Sequence, residues 1–167
     1  MSPTIVCLGE PFAGDDGVGA VVAEHLRAAG GSPIVLADPL ELLELVTRGR
    51  PLVIVDAVVT SSEPGQVLCL EPLDLAPDRQ PISSHRAGVA GVLELAATLG
   101  PVPPIEIVAI TIRPPQRLGL GLTPAVARAA VEASRAICER YGATPRPLGA
   151  DADSASASGS LGPARRV

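Results

Sequence analysis

Two adjacent carboxylates close a glycine-rich turn near the start of the chain, in the segment 9–19, which reads GEPFAGDDGVG. The turn follows an apolar run at 5–8 that predicts a buried strand, and it precedes apolar residues at helical spacing. Asp15 is a suitable N-cap, because its oxygens can accept the free N–H groups of a first helical turn. Asp16 then falls at about the first helical position, where negative charge is favoured. The pair either binds a cation or a polarised water, or it only caps a helix.

This turn differs from the two common phosphate-binding turns. A Walker loop places Gly-Lys-Ser/Thr after its glycines, and the turn contains no lysine. The dinucleotide fingerprint G-x-G-x-x-G has another spacing, and two carboxylates would stand here where the pyrophosphate lies. Anion binding is therefore disfavoured, and a cation or a polarised water is the more natural guest.

A further acid, Asp56, follows the segment 51–55, which is apolar at every position. Such continuous runs are typical of parallel strands that are covered on both faces. In open α/β sheets, ligands bind in the crevice outside the carboxyl ends of the strands. Asp56 is therefore a candidate for the same crevice as Asp16, unless its carboxylate only accepts a hydrogen bond from a neighbouring turn.

The next predicted strand, at 66–71, should run antiparallel to the others. A parallel crossover needs about a dozen residues or more, and the connection at 58–65 is shorter. The strand is therefore a hairpin partner or a sheet edge, and its far end lies away from the crevice. The proline-rich return at 71–82 is long enough to bring the chain back, at about 3.3 Å per extended residue.

That return delivers His85 to the edge of the crevice, in the first turn of a helix that Ser83 or Ser84 can cap. A helix N-terminus disfavours imidazolium, so a neutral His85 could ligate a metal. The alternative is a surface or capping histidine. Carboxylates and imidazole together suit Ni, Zn, Fe or Mn, and Asp16, Asp56 and His85 alone do not choose among these metals.

Composition narrows the class of protein. The 167 residues predict one domain, and hydrophobic residues make up 47% of them but aromatic residues only 1%, so the core is aliphatic. The net charge of -5 argues against a nucleic-acid partner, which needs a basic face and usually stacking aromatics. No apolar stretch reaches the ~18 residues of a membrane span, and no basic leader precedes the first strand. We therefore expect a cytoplasmic protein without a membrane partner.

The order of apolar runs and helical patterns predicts an α/β fold. We expect a three-layer α/β/α sandwich with a mostly parallel sheet of about five strands. Residues 1–143 form this domain. The composition of residues 144–167 changes to Pro, Ala, Ser, Gly and Asp without periodic apolar residues, which predicts a disordered tail.

The three cysteines carry no motif spacing. Cys7 and Cys69 lie in strand patterns and Cys138 in a helix pattern, so all three are predicted to be small buried apolar residues. A catalytic cysteine is disfavoured, because none of them lies at a turn beside a histidine.

With these motifs in order, the sequence resembles the hydrogenase maturation proteases over roughly residues 4 to 141. These endopeptidases trim the C-terminal extension from the large subunit of [NiFe] hydrogenases. The resemblance rests on GEP at 9–11 with GDDGVG at 14–19, on Val55-Asp56-Ala57 followed by Pro64-Gly65, on His85 at a helix start, and on Ile112-Arg113-Pro114. The first block is fairly specific, whereas the others are weak alone.

The resemblance implies that Asp16, Asp56 and His85 bind metal and carry the reaction. It also implies that the metal is nickel already inserted in the large-subunit precursor, so that nickel marks the cleavage site and is not held permanently by the protease. Glu10 departs from the family, which usually has Asn there, and could change hydrogen bonding in the turn or the choice of substrate. Whether the metal or a carboxylate activates the attacking water is left open.

Two other functions fit the same residues. One is an ordinary metal-dependent amidohydrolase with a tightly held zinc ion. The other is a non-catalytic module that binds nickel or acts as a chaperone. Metal analysis separates the first alternative, and a cleavage assay on nickel-loaded precursor separates the second.

Overall fold

The structure is a computed structural model that describes residues 2–72, 86–114 and 121–142. Strands and helices alternate along these residues except that the fourth strand follows the third directly, and a short 3-10 helix precedes each of the first two α-helices. The strands are β1 (Thr4–Leu8), β2 (Ile34–Leu36), β3 (Leu52–Val59), β4 (Val67–Leu70) and β5 (Ile105–Ile112). The α-helices are α1 (Val18–Ala28), α2 (Leu42–Thr47), α3 (Arg86–Leu99) and α4 (Pro124–Tyr141), and the 3-10 helices are Gly14–Gly17 and Pro39–Glu41.

The strands form one sheet in the order β2-β1-β3-β5-β4. The pairs β1–β2, β1–β3 and β3–β5 are parallel, and β4 pairs antiparallel with β5. The five-stranded, mostly parallel sheet and the antiparallel orientation of the strand predicted at 66–71 are thus confirmed. This strand is a sheet edge and not a hairpin partner of β3, because β5 lies between them.

Helices cover both faces of this sheet, which confirms the three-layer sandwich. Residues of β3 alternate between the faces, as a strand requires. Val53, Val55 and Ala57 pack with α1 and α4, whereas Ile54 and Val58 pack with α2 and α3. Both clusters are aliphatic, as the composition predicts.

The turn between β1 and α1 depends on two glycines for close packing. A Cβ atom at Gly17 would overlap the carbonyl oxygen of Glu10, and one at Gly19 would overlap the carbonyl oxygen of Leu8. Only glycine lacks this atom, so the first turn of α1 can lie directly against the end of β1. The glycines therefore place the carboxylate-bearing turn over the carboxyl end of the sheet.

Thr111 of β5 fastens the connection between β3 and β4. Its buried hydroxyl donates to the carbonyl oxygen of Glu63 over 2.7 Å and accepts from the N–H of Gln66 over 2.8 Å. Gly65 packs against the backbone of Ala125 in the first turn of α4, where a Cβ atom would lie 2.7 Å from a carbonyl oxygen. The Pro64-Gly65 motif thus fits a narrow space between β5 and α4.

Two predictions from the sequence concern segments that the structure does not describe. The return at 71–82 lies almost wholly outside the described residues, as does the tail at 144–167. In the ranges that the structure describes, no helix is long and apolar enough to cross a membrane.

Candidate active site

Asp16 lies in the Gly14–Gly17 3-10 helix, which packs against β3. The expectation that Asp16 occupies about the first position of α1 is wrong, because α1 begins only at Val18. The side chain is half-buried, and its Oδ1 atom is fully buried. The tight 3-10 turn therefore directs a carboxylate inward, toward the neighbouring end of the sheet.

Asp56 lies within β3 and does not follow it. The apolar run predicts a strand end at Val55, but β3 continues to Val59 because β5 pairs with it along its whole length. Beside β1, in contrast, pairing stops at Val55, opposite Cys7. Asp56 therefore occupies the first position at which β3 has lost its β1 neighbour, and the side chain is only 5% exposed.

Burial and the charge of Asp16 both affect the ionisation of Asp56. Burial raises the pKa of Asp56 from 3.8 to about 7; the hydrogen bond from the Ala57 N–H (2.8 Å) opposes this rise, and the charge of Asp16 adds to it. The structure thus brings Asp16 and Asp56 together, as predicted from their positions in the chain. Near neutral pH this site either holds a proton on Asp56 or gains from a cation.

Asp15 has a different role from its neighbour. Its Oδ1 accepts a hydrogen bond from the N–H of Thr123 (2.6 Å), and its Oδ2 accepts one from the Thr123 hydroxyl (3.0 Å). The N-cap of α1 is Gly17, which makes no side-chain capping bond, so the prediction that Asp15 caps α1 is wrong. Asp15 instead ties the turn to the start of α4, across 108 residues of sequence.

His85 lies outside the described residues, which resume at Arg86, the first residue of α3. Val89, in the first turn of α3, packs with Ile54 and Val58 on one face of the sheet. By strand alternation, Asp56 belongs to this same face. Without His85, no three His, Cys, Asp or Glu side chains of the described residues are grouped closely enough to hold a metal ion.

The cysteines do not join the carboxylates. Cys7 is buried, and burial raises the pKa of its thiol to about 12, with a small opposing effect of Arg27. Cys138 is half-buried, but Cys69 is exposed, so the expectation of three buried cysteines is wrong for Cys69. Cys69 lies in β4, a four-residue strand at the edge of the sheet, and its side chain is exposed to solvent there.

A cavity of about 450 Å³ opens beside Cys69. It is lined by the residues that begin β3 and β5, together with Arg140 and Tyr141 at the end of α4. These are the amino ends of the parallel strands, at the opposite edge from Asp16 and Asp56. The cavity is therefore not part of the carboxylate site.

The fold and the site define an α/β protein with an acidic site at the carboxyl edge of a covered parallel sheet. Solved structures share this fold. The [NiFe] hydrogenase maturation protease HybD from Thermococcus kodakarensis is 24% identical, with a TM-score of 0.68 over 84% of this chain and 99% of that one. The hydrogenase maturating endopeptidase HybD from E. coli is also 24% identical, with a TM-score of 0.65 over 84% of this chain and 91% of that one.

Sequence comparison gives the family. The family model described as hydrogenase maturation protease matches residues 37–140. The chain belongs to the hydrogenase maturation protease family. A curated relative, the hydrogenase 3 maturation protease of Escherichia coli strain K12, is 33% identical over 82 residues, which cover 46% of this chain and 53% of the relative. The match thus spans about half the length of that relative.

Proposed function

We propose that this protein is an endopeptidase that removes the C-terminal extension of a nickel-loaded [NiFe] hydrogenase large-subunit precursor. Membership of the hydrogenase maturation protease family supports a peptide hydrolase. The similar proteins are hydrogenase maturation proteases and a hydrogenase maturating endopeptidase, which supports the same class of substrate.

The observation that carries the proposal is the carboxylate pair. Burial raises the pKa of Asp56, and the negative charge of Asp16 raises it further, so an ionised Asp56 is costly in the site without a cation. A divalent cation arriving from the open side would remove this cost, because both carboxylates could then be ionised. In the proposal this cation is the nickel of the precursor, and Asp16, Asp56 and His85 are its ligands on the protease.

Docking on the nickel then sets the geometry of cleavage. It holds the scissile peptide bond at the carboxylates, and such positioning can lower a barrier by several kcal/mol. Water adds to the carbonyl carbon, the C–N bond breaks, and the proton released from water passes to the leaving amine.

The test is cleavage of the large-subunit precursor from the same genome, prepared with and without nickel. We expect the intact chain to cut the nickel-loaded precursor and to leave the nickel-free precursor uncut. Equal cleavage of both, with stoichiometric zinc in the purified protein, would instead indicate an ordinary zinc amidohydrolase. Nickel binding without any cleavage would indicate a chaperone module.

A further inference from the structure

Two large apolar side chains point into solvent from the connections that surround the carboxylates. Phe12, the only phenylalanine of the chain, is 67% exposed, and Leu40 is 62% exposed. Phe12 lies in the turn after β1, four residues before Asp16. Leu40 lies in the 3-10 helix after β2. We call Phe12 and Leu40 the apolar rim.

A backbone hydrogen bond links the first of these connections to the end of the strand that precedes the second. The N–H of Gly9, at the start of the first turn, donates to the carbonyl oxygen of Leu36 at the end of β2 over 3.2 Å. The N–H of Leu40 itself donates to the carboxylate of Asp38 over 2.9 Å, which fixes the second connection. Hydrogen bonds therefore fix the backbone segments that carry Phe12 and Leu40, at the carboxyl ends of β1 and β2.

The second connection also reaches toward α3. Pro39 packs against Gly88, where a Cβ atom would lie only 2.9 Å from the proline ring. Gly88 lies in the first turn of α3, three residues beyond His85. Leu40 therefore belongs to the connection that contacts the start of α3, the helix that follows His85. Phe12 belongs to the turn that carries Asp16, so both rim residues lie on connections that adjoin the candidate active site.

The fold gains little from these two side chains, because exposed apolar groups contribute little burial. The other large apolar side chains that are exposed in the described residues lie on helices, away from this edge: Leu95, Leu99 and Val131. The two rim residues lie at the same edge of the sheet as the carboxylates, which makes them candidates for contact with a bound polypeptide. Carboxylates give no charge attraction for a neutral peptide segment, so apolar contact would hold such a segment independently of the nickel.

We infer that the apolar rim binds apolar side chains of the precursor polypeptide beside the scissile bond. This inference rests on the proposed function. It adds to the nickel a second part of the substrate that the protease binds, the apolar side chains beside the scissile bond. Phe12 lies in the same turn as Asp16, so a polypeptide bound at the carboxylates can contact the rim. Contact there would give affinity without taking part in the chemistry.

The experiment compares a variant that lacks both apolar rim side chains with a control variant at an equally exposed leucine elsewhere. Phe12→Ser and Leu40→Ser are combined in the full chain, and Leu99→Ser is the control, because Leu99 is equally exposed (63%) but lies at the far end of α3, next to the start of β5. We expect KM for the nickel-loaded precursor, and Kd measured by calorimetry, to rise about tenfold or more in the rim variant. We expect kcat to change less than about twofold, and the control to match the unmodified chain.

Unchanged KM and Kd in the rim variant would overturn the inference, as would an equal loss in Leu99→Ser. An unmodified chain that binds the precursor but does not cut it would contradict the proposed function, while the Kd values would still decide the role of the rim. An unmodified chain that shows no binding would overturn the rim as well.

Discussion

Asp56 determines the electrostatic character of the site, because folding removes its carboxyl group from water. It lies within β3 and not at the exposed edge that its place after an apolar run predicts. Burial raises its pKa, and the nearby charge of Asp16 raises it further. Substitution at Asp56 should therefore change stability by more than the few tenths of a kcal/mol that are usual for exposed sites.

Replacing Asp56 with Asn should stabilise the protein at alkaline pH. The folded state has a pKa of about 7 and the reference value is 3.8, so the folded chain binds more protons between these values. Stability from this group is present at low pH and is lost as the pH rises from about 4 to about 7. Asn does not ionise and avoids this loss.

Urea unfolding of Asp56→Asn and the unmodified chain at pH 5 and pH 8 checks this. The free energy of unfolding of the variant, relative to the unmodified chain, should increase by about 2–3 kcal/mol between the two pH values. The comparison cancels the titration of other groups. A difference that does not change with pH would mean that Asp56 is not a buried acid.

The sequence indicates which acids face the crevice but not how each is used. Asp16 and Asp56 could be predicted because both follow apolar runs that end at one edge of a parallel sheet. The burial of Asp56 could not be predicted, since the end of β3 depends on pairing with β5, which joins residues distant in the sequence. The hydrogen bond from the Thr123 N–H to Asp15 joins residues that are 108 apart, so no local sequence pattern predicts it.

At the scale of elements, the junction of β1 and α1 places the carboxylate turn. Gly19→Ala should destabilise the protein by about 3 kcal/mol, because its Cβ would overlap the Leu8 carbonyl oxygen and the neighbouring backbone must shift. Gly91→Ala in α3 is the control: no atom lies within 4 Å of the added Cβ, and Ala favours a helix by up to about 1 kcal/mol. Thermal unfolding of both variants checks this. Equal melting temperatures would contradict the close packing of α1 on β1.

The elements themselves follow from simple patterns. β5 occupies the mostly apolar segment 105–112, and the short connection after β3 correctly indicates an antiparallel strand. The 3-10 helix at Gly14–Gly17 is not predicted, because its glycines and acids also fit a helix cap. The exposure of Phe12 is not predicted either, although an aromatic residue in a glycine-rich turn, outside any apolar periodicity, is the signal that could have revealed it.

For the whole molecule, the family match and the last described helix end close together, at residues 140 and 141. Residues 144–167 lie outside the described part of the chain, and their predicted disorder stays a prediction. Deleting residues 146–167 should change the melting temperature by less than a few degrees, because the segment has no apolar face to bury. A larger drop in a thermal unfolding experiment would mean that the tail packs on the domain.

Cleavage of the nickel-loaded precursor by neighbouring Asp variants tests the central claim most directly. Asp16→Asn, Asp56→Asn and His85→Ala should each abolish or severely reduce cleavage, since Asn keeps the shape of Asp but removes the charge that a cation needs. Asp15→Asn is the control, because an amide can still accept from the Thr123 N–H and can donate to its hydroxyl oxygen. We expect Asp15→Asn to retain most of the activity. Equal activities of Asp15→Asn and Asp16→Asn would contradict the assignment of the metal-facing carboxylate to Asp16.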